Sequence, residues 1–292
     1  MTLLLSAGRL APAGAAFEAL GQSSRANAMG EAFVTQANDA SALWYNPAGL
    51  ANIQGRQALV DYASLFPNLD VGPDINSWAV NYAQGLAGGH LGIGVAGLGA
   101  GFYAENGAVL GYGRAAGKRL RFGLGLRLLR WSADGYRDPA TGLRDEDHTG
   151  TGVGVDAGGQ CKLLHWQQGV FTLGFSGQNL NQPEVSAGGG TGIPRRLSLG
   201  LGYEDQRYGA EIDLEFAGGV RRVRAGGEYK FGGRHDLRLR GGASGMAGDD
   251  AAGALDSGFG LRLGRIVINY AYHYSAEIAA GGQQRLSLGY QF

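Results

Sequence analysis

The sequence predicts an all-β fold, a 14-stranded antiparallel transmembrane β-barrel with an N-terminal hatch. Three observations in the 292 residues point there. From about Arg56 to Phe292, short runs alternate apolar with small or polar residues and are broken by Gly-rich turns, the period of extended chain with two chemically different faces. The connections between these runs alternate in length. Ahead of them, Gly21–Ile53 is the one long stretch without strand rhythm, and it contains Pro47.

Composition narrows the class. Glycine supplies 55 residues, far above the roughly 7% of ordinary chains, yet without the Gly-X-Y period of collagen. With 25 acidic against 25 basic residues, there is no electrostatic case for a nucleic-acid partner. Cys161 is the single cysteine, so there is no intramolecular disulfide and no multi-cysteine metal site. No window reaches the ~18–20 apolar residues of a membrane helix, so a spanning chain must close its backbone hydrogen bonds in a barrel. The opening MTLLLSAGRLAPAG reads as a signal-peptide remnant or N-terminal tail, without the usual basic start. The resulting division is 1–14 remnant, 15–54 hatch inside the barrel, and 55–292 barrel.

Within the hatch, Met29–Val34 reads as a short extended piece. Asn38 or Asp39 reads as the cap of a short helix through Trp44 and Tyr45, ended by Pro47, whose ring disfavours a helical residue before it. The strands follow at regular intervals. Their outward faces are Ala58/Val60/Tyr62, then Trp78/Val80/Tyr82, Leu91/Ile93/Val95, Ala108/Leu110/Tyr112, Phe122/Leu124/Leu126/Leu128, Val153/Val155/Ala157 and Phe171/Leu173/Phe175. The second half continues with Leu197 to Tyr203, Ala210 to Phe216, Val223/Ala225/Tyr229, Leu237/Leu239, Phe259/Leu261/Leu263, Ile266 to Tyr274, and Leu286 to Phe292. The apolar face, with Tyr and Phe near strand ends, suits lipid and an aromatic girdle; the Gly, Ser, Asn and charged face suits a lumen. A soluble sandwich would also alternate, but would not sort its connections by parity. Here the odd ones (Pro67–Asp74, Ala100–Asn106, Ser132–Gly150, Asn179–Gly192, Ser244–Gly253, Ser275–Gln283) exceed every even one, and only Ala217–Val220 breaks the rule. Long extracellular and short periplasmic loops are the outer-membrane pattern.

The lumenal face carries a charge ladder. Folding the hairpins sets Glu215 opposite Arg222, Asp213 opposite Arg224, Lys230 opposite Asp236, Glu228 opposite Arg238 and Arg196 opposite Glu215. Such facing pairs contribute roughly 0.2–1 kcal/mol each to register. They read as wall-pinning pairs, since paired charges leave little net field for conduction. Asp145, Glu146, Asp147 and His148, near Asp134 and Asp138, lack the one-three-five ligand spacing of a Ca²⁺ loop and read as a solvated acidic loop. Asn179–Gln182 reads as a plain loop, Cys161 as an outward packing residue near the periplasmic rim, and His273 as a lumenal wall residue beside Asn269. None of the five histidines stands in a catalytic frame. The expectation is therefore no enzyme, no cofactor and no metal.

The ending LSLGYQF, with Tyr290 and Phe292 on the apolar face, resembles the C-terminal signal read by the outer-membrane barrel assembly machinery. Ala28–Val34 followed by Asn38–Leu50 resembles the N-terminal signature of the PorV/PorQ family, within the broader group of FadL-type outer-membrane transporters. The resemblance rests on Met29, Gly30, Asp39, Ser41, Asn46, Pro47, Ala48 and Gly49, with Glu31 where a second glycine is common. It implies an outer-membrane location with both termini periplasmic, and two functional routes. The first is secretion-associated, a type IX-like cargo shuttle, or structural. The second is FadL-like transport of small hydrophobic compounds, from an extracellular pocket to the barrel wall through a hatch rearrangement. The implied partners are outer-membrane lipid, the assembly machinery, and either secreted cargo or a hydrophobic small molecule.

Overall fold

The computed structural model describes residues 17, 20–65, 67, 74–86, 88–135, 146–185, 192–233, 235–246, 253–275 and 282–292. The expectations for residues 1–14, Asp138 and Asp145 lie outside them. Strands β1 (Arg56–Ser64), β2 (Ile75–Leu86), β3 (Gly89–Ala100), β4 (Tyr103–Ala116), β5 (Leu120–Ala133), β6 (His148–Trp166) and β7 (Gly169–Gln178) form the first half of the wall. The second half is β8 (Arg196–Glu204), β9 (Tyr208–Ala217), β10 (Val220–Gly232), β11 (Asp236–Met246), β12 (Gly253–Leu263), β13 (Ile266–Ser275) and β14 (Gln283–Gln291). Each strand pairs with its sequence neighbours, and β14 returns antiparallel to β1, from Gln57 opposite Gln291 to Ser64 opposite Gln284. Closure leaves no sheet edge to lipid.

The two faces separate as alternation demands. In β9, Ala210, Ile212, Leu214 and Phe216 are exposed, while Glu211, Asp213 and Glu215 are buried. Leu124 of β5 is 65% exposed on the outside, whereas Leu129 of the same strand is 1% exposed inside. The rim where β1 begins and β14 ends, joined by the Phe292 N–H to the Arg56 carbonyl, is called the terminal rim. Aromatic residues cluster around it: Tyr290 and Tyr82 on Phe292, Trp166 and Phe171 on Tyr203, and Tyr208 and Phe231 on Tyr229, with ring centroids 4.8–6.4 Å apart. This is half of an aromatic girdle.

The opposite end, the loop rim, bears the connections 65–74, 134–147, 179–195, 247–252 and 276–282, each longer than any at the terminal rim. One expected long connection is not there. Ala100–Asn106 shrinks to Gly101 and Phe102, because Tyr103–Asn106 continue β4, with Glu105 buried in the lumen and Tyr103 stacked on Trp131. The low strand propensity of Glu and Asn is overridden by their lumenal environment. His148, expected in the acidic loop, is the first residue of β6, opposite Ala133.

Residues 20–53 fill the lumen. They form α1 (Ser24–Asn27), α2 (Ala42–Tyr45) and a 3₁₀ turn, Pro47–Asn52. Met29–Val34 is not extended. Gly30 and Glu31 have φ of +63° and +58°, and their N–H groups return to the Asn27 and Ala26 carbonyls, making a turn after α1. The lumenal glycines of the wall are an imprint of this segment. A Cβ on Gly226 would lie 2.1 Å from the Met29 carbonyl oxygen, and one on Gly242 2.1 Å from the Gly30 nitrogen. On Gly123 it would lie 2.2 Å from the Pro47 carbonyl carbon, on Gly158 1.9 Å from Asn46 Oδ1, and on Gly202 1.9 Å from Thr35 Oγ1.

Gly226→Ala and Gly242→Ala should therefore each destabilise the barrel by about 1–3 kcal/mol, the cost of overpacking. Gly99→Ala in β3, where a Cβ meets nothing within 4 Å, should have little effect. Thermal unfolding in detergent, followed by the loss of β-sheet circular dichroism, compares the three.

Candidate functional site: the hatch and its wall contacts

An irregular segment enclosed in a barrel must find hydrogen-bond partners that secondary structure does not supply. The hatch finds them on lumenal side chains. Asp213 Oδ2 accepts from the Phe33 and Val34 N–H groups at 2.8 and 3.3 Å, and Glu211 accepts from Thr35 and Gln36 at 2.5 and 2.9 Å. Two carboxylates spaced i, i+2 on one strand thus hold four consecutive amides. On the other side, Asp61 Oδ1 accepts from the Ser24 N–H at 3.0 Å and from Ser287 Oγ, and the Ser24 and Ser287 hydroxyls are hydrogen-bonded at 2.6 Å. Carbonyls are served by cations and amides. Arg127 Nη2 and Gln178 Nε2 donate to the Trp44 carbonyl at 3.2 and 2.6 Å, and Ser176 Oγ donates to that of Tyr45 at 2.5 Å. Arg285 donates to the carbonyl and side-chain oxygens of Gln22, both at 3.0 Å. Burial, together with nearby Glu31, pushes the Tyr45 phenol well above its usual range, and its Oη accepts the Ser23 N–H at 3.0 Å.

The signature residues each have a local physical role. Just ahead of the signature, Ser23 caps α1, its Oγ accepting the Ala26 N–H. Asp39 Oδ1 accepts from both the N–H and the Oγ of Ser41, setting up the turn into α2. Asn46 is extended (φ −152°, ψ 104°), as the residue before proline prefers. Its Oδ1 accepts the Ala48 N–H at the start of the 3₁₀ turn, where Pro47 needs no donor. Its Nδ2 donates to the Val34 carbonyl at 2.8 Å, joining the two halves of the hatch. Gly49 packs so closely that a Cβ would lie 2.0 Å from the Ala37 oxygen, and Ala48 and Met29 are fully buried. Glu31 sits at positive φ, where glycine carries no Cβ penalty, and its Oε2 lies 3.3 Å from Arg224 Nη2.

The charge ladder differs from the sequence reading at three places. Glu215 does stand opposite Arg222, and Asp213 opposite Arg224. Asp213, however, gives its carboxylate to the hatch amides, and Arg224 pairs with Glu215 at 2.5 Å instead. Arg196 faces Ala217, not Glu215, and reaches Glu215 diagonally at 3.4 Å. Around the β10–β11 hairpin the register, which contains a bulge between Lys230 and Gly232, lies two residues from the expected one, so Lys230 faces Arg238 and Glu228 faces Arg240. Lys230 pairs with Glu204 at 2.8 Å, while Asp236 pairs with Arg238 along its own strand at 2.5 Å. Sequence reasoning missed the hatch-binding residues Asp61, Arg127, Gln178, Glu211 and Arg285. Their lumenal position was readable, but what lies opposite them was not.

Towards the loop rim the lumen becomes apolar. Phe17, its N–H bonded to Glu105 Oε2 at 2.9 Å, and Leu20 share a buried cluster with Val109, Leu129 and Ile193, against which Leu98, Trp131 and Val185 pack. Phe17 thus lies at the rim opposite Phe292. Beside this cluster the wall is interrupted. Strand β6 pairs with β5 back to His148, but with β7 only from Ala157 onward. Among the described residues, His148–Asp156 have no strand on that side. Asn179–Val185 is more than a plain loop: Asn179 and Gln182 have φ of 50° and 48°, turning the chain inward. The Asn181 amide accepts the Val155 N–H at 3.0 Å and donates to the Val153 carbonyl at 2.7 Å, doing with one side chain what a strand does with backbone. Val185 ends over β5, its carbonyl accepting from Trp131 Nε1 at 2.8 Å.

Among the described residues no group of three or more His, Cys, Asp or Glu is placed to hold a metal. Asp147 caps the Gly135 N–H at 2.7 Å, and His273 Nδ1 lies 2.7 Å from Asp256 Oδ1 on the lumenal face. Cys161 is partly exposed on the outer face, opposite Leu120 and Leu173.

No protein-family model and no curated protein matches this chain. Solved structures do. The Pseudomonas putida toluene transporter TodX aligns with a TM-score of 0.62 at 13% identity over 92% of this chain and 96% of its own. A Pseudomonas aeruginosa FadL homologue aligns at 0.61 and 12% over 93% and 98%. The CymD monoaromatic hydrocarbon channel aligns at 0.62 and 13% over 91% and 96%. The chain therefore has the fold of FadL-type outer-membrane channels.

Replacing both clamp carboxyl groups, Glu211→Gln with Asp213→Asn, weakens the four bonds that hold the Phe33–Gln36 amides, each worth about 0.5–1.5 kcal/mol or more. The variant should show larger and noisier single-channel conductance in planar bilayers. Deleting residues 15–53 should give a larger increase in any barrel that still assembles. Unchanged conductance in both would mean that the hatch does not block the lumen.

Proposed function

We propose that this barrel lies in an outer membrane and passes small hydrophobic compounds, in the manner of FadL-type channels. In this reading the terminal rim faces the periplasm and the loop rim faces outward. The observation that supports it is the apolar cluster in the outer half of the lumen, where Phe17 and Leu20 pack with Val109, Leu129 and Ile193 and which an entering solute would open into a slot. A water-filled porin would carry charged or polar residues there; this lumen instead offers contacts that an apolar solute makes. The solute displaces Phe17 and leaves sideways, between β6 and the start of β8, where the Asn181 side chain and the Leu180 N–H stand in for a strand. The hatch below stays in place and keeps ions from crossing. Barrel lipid and the assembly machinery are the partners this location requires, the latter through Tyr290 and Phe292.

The secretion-associated reading rests on the signature in Ala28–Val34 and Asn38–Leu50. Every signature residue described above is occupied with holding the hatch together or against the wall, which leaves the motif neutral between cargo shuttling and solute passage. Co-purification of secreted proteins through their C-terminal domains would favour shuttling.

Toluene, the compound named for one structural neighbour, serves as the probe. Cells producing the barrel in a host without such a channel should take up labelled toluene faster than control cells. Leu98→Arg places a guanidinium directly opposite Glu105, so that an ion pair replaces apolar surface on the path, and should return uptake to background, while the barrel still shows heat-modifiable migration. Equal uptake with and without the protein would overturn the proposal.

A further inference from the structure

At the other end of the lumen, between the hatch and the wall formed by β11 to β14 and β1, lies a cavity of about 100 Å³. Its charged lining comes from Arg25 and Asp39 of the hatch and from Asp236, Arg238, Arg240 and Arg262 of the wall. Glu228 stands directly behind, bonded to Arg238 at 3.3 Å and to Arg240 at 2.6 Å. Four guanidinium groups thus face three carboxylates, leaving one positive charge.

The carboxylates are already engaged. Asp39 accepts from Ser41 and from Arg25 Nη1, and Asp236 accepts from Arg238 Nε and Nη2 at 2.9 and 2.5 Å. The cations are not all satisfied. Among the described residues Arg262 bonds a neutral partner, Gln291 Oε1 at 2.5 Å. Arg25 has a side chain 9% exposed, yet its Nε is buried without a hydrogen-bond partner and sits 3.7 Å from the nearest carboxylate oxygen, on Glu228. A buried guanidinium N–H without an acceptor is costly. Arg25 and Arg262 thus bring to the cavity positive charge that its carboxylates do not balance, and a planar donor fork matches phosphate and carboxylate geometry.

We propose that this cavity is a binding site for a small soluble oxyanion, a phosphate or carboxylate group. It would bridge Arg25 on the hatch and Arg262 on the wall, tying the two together at the terminal rim. The site is separate from the apolar slot at the loop rim, and it does not depend on what that slot carries.

Isothermal titration of the full-length, detergent-purified, delipidated barrel with inorganic phosphate, at constant ionic strength set by chloride, tests this. Saturable binding is expected, with a rise in unfolding temperature that chloride does not give. Arg262→Gln and Arg25→Gln should each weaken binding by about tenfold, the loss of one charge-assisted contact pair. Arg265→Gln, in the β12–β13 turn outside the cavity, should bind as the parent does. Because Arg25→Gln removes hatch contacts too, Arg262→Gln with unchanged conductance is the deciding variant. Absence of saturable binding, or phosphate binding that Arg262→Gln leaves unaltered, would overturn the site. Binding that survives only when phospholipid is retained would do the same, by assigning the phosphate to a lipid headgroup.

Discussion

The need to satisfy the hatch backbone governs the rest of this structure. Residues 20–53 contain two four-residue helices and one 3₁₀ turn, too little regular structure to pair their own amides and carbonyls. Inside the barrel each unpaired group would cost several times what a surface group costs, because bulk water is excluded. The solution is a set of lumenal side chains of matched polarity, carboxylates where N–H groups point and arginines or glutamines where carbonyls point. The charges are then not isolated in a low-dielectric interior. Arg127, for example, bonds the Trp44 carbonyl, pairs with Asp156 and lies over the Trp44 ring at 5.2 Å, so its burial is compensated on three sides.

The glycines answer the same demand in steric terms. Strand glycine is normally unfavourable, for entropy and for lost packing, so a wall this rich in it needs a compensating gain. That gain is close approach. Where the hatch backbone runs against β10 and β11, no Cβ fits, and the wall supplies Gly226 and Gly242. Where it turns away, the lumenal positions carry Arg, Glu and Asp long enough to reach it. Small and charged residues on the same face are thus two answers to one varying gap.

This explains what could be read in the sequence and what could not. Alternation is a local property, so all the strands and the identity of each face were legible. Parity of loop length was legible too, except at Tyr103–Asn106, where polar residues that look like loop continue a strand because they face a polar lumen. Register around β10–β11 was not legible, because β10 runs on to Gly232 and carries a bulge at Lys230–Gly232, which together place Glu228 opposite Arg240 and not Arg238, and nothing in the residue types marks either. The hatch contacts were invisible for a deeper reason. Asp213 and Arg224 face each other in register, and pairing them is the natural inference from two dimensions. The third dimension places the Phe33 and Val34 amides within reach of Asp213, and they win its carboxylate. Glu31 shows the converse: a departure from glycine that had no local rationale becomes intelligible once its positive φ and its contact with Arg224 are seen together.

The same accounting separates the fixed part of the lumen from the part able to move. From Gln22 to Asn52 the hatch is bonded to wall residues on strands around the barrel, from Asp61 and Ser287 through Glu211 and Asp213 to Gln178 and Gln160. Withdrawing that segment whole would strand lumenal carboxylates and arginines at once and open cavities beside every imprinting glycine. Among the described residues, Phe17 and Leu20 are held differently, by apolar contact and the Phe17 N–H to Glu105. Apolar contacts are non-directional and exchange readily for those of another apolar body. Motion that costs little is therefore confined to the loop-rim end of the hatch, beside the stretch of β6 whose missing strand is replaced by Leu180 and Asn181. The interruption in the wall and the weakly held aromatic are neighbours, so a route that uses both leaves the polar anchorage beneath them intact.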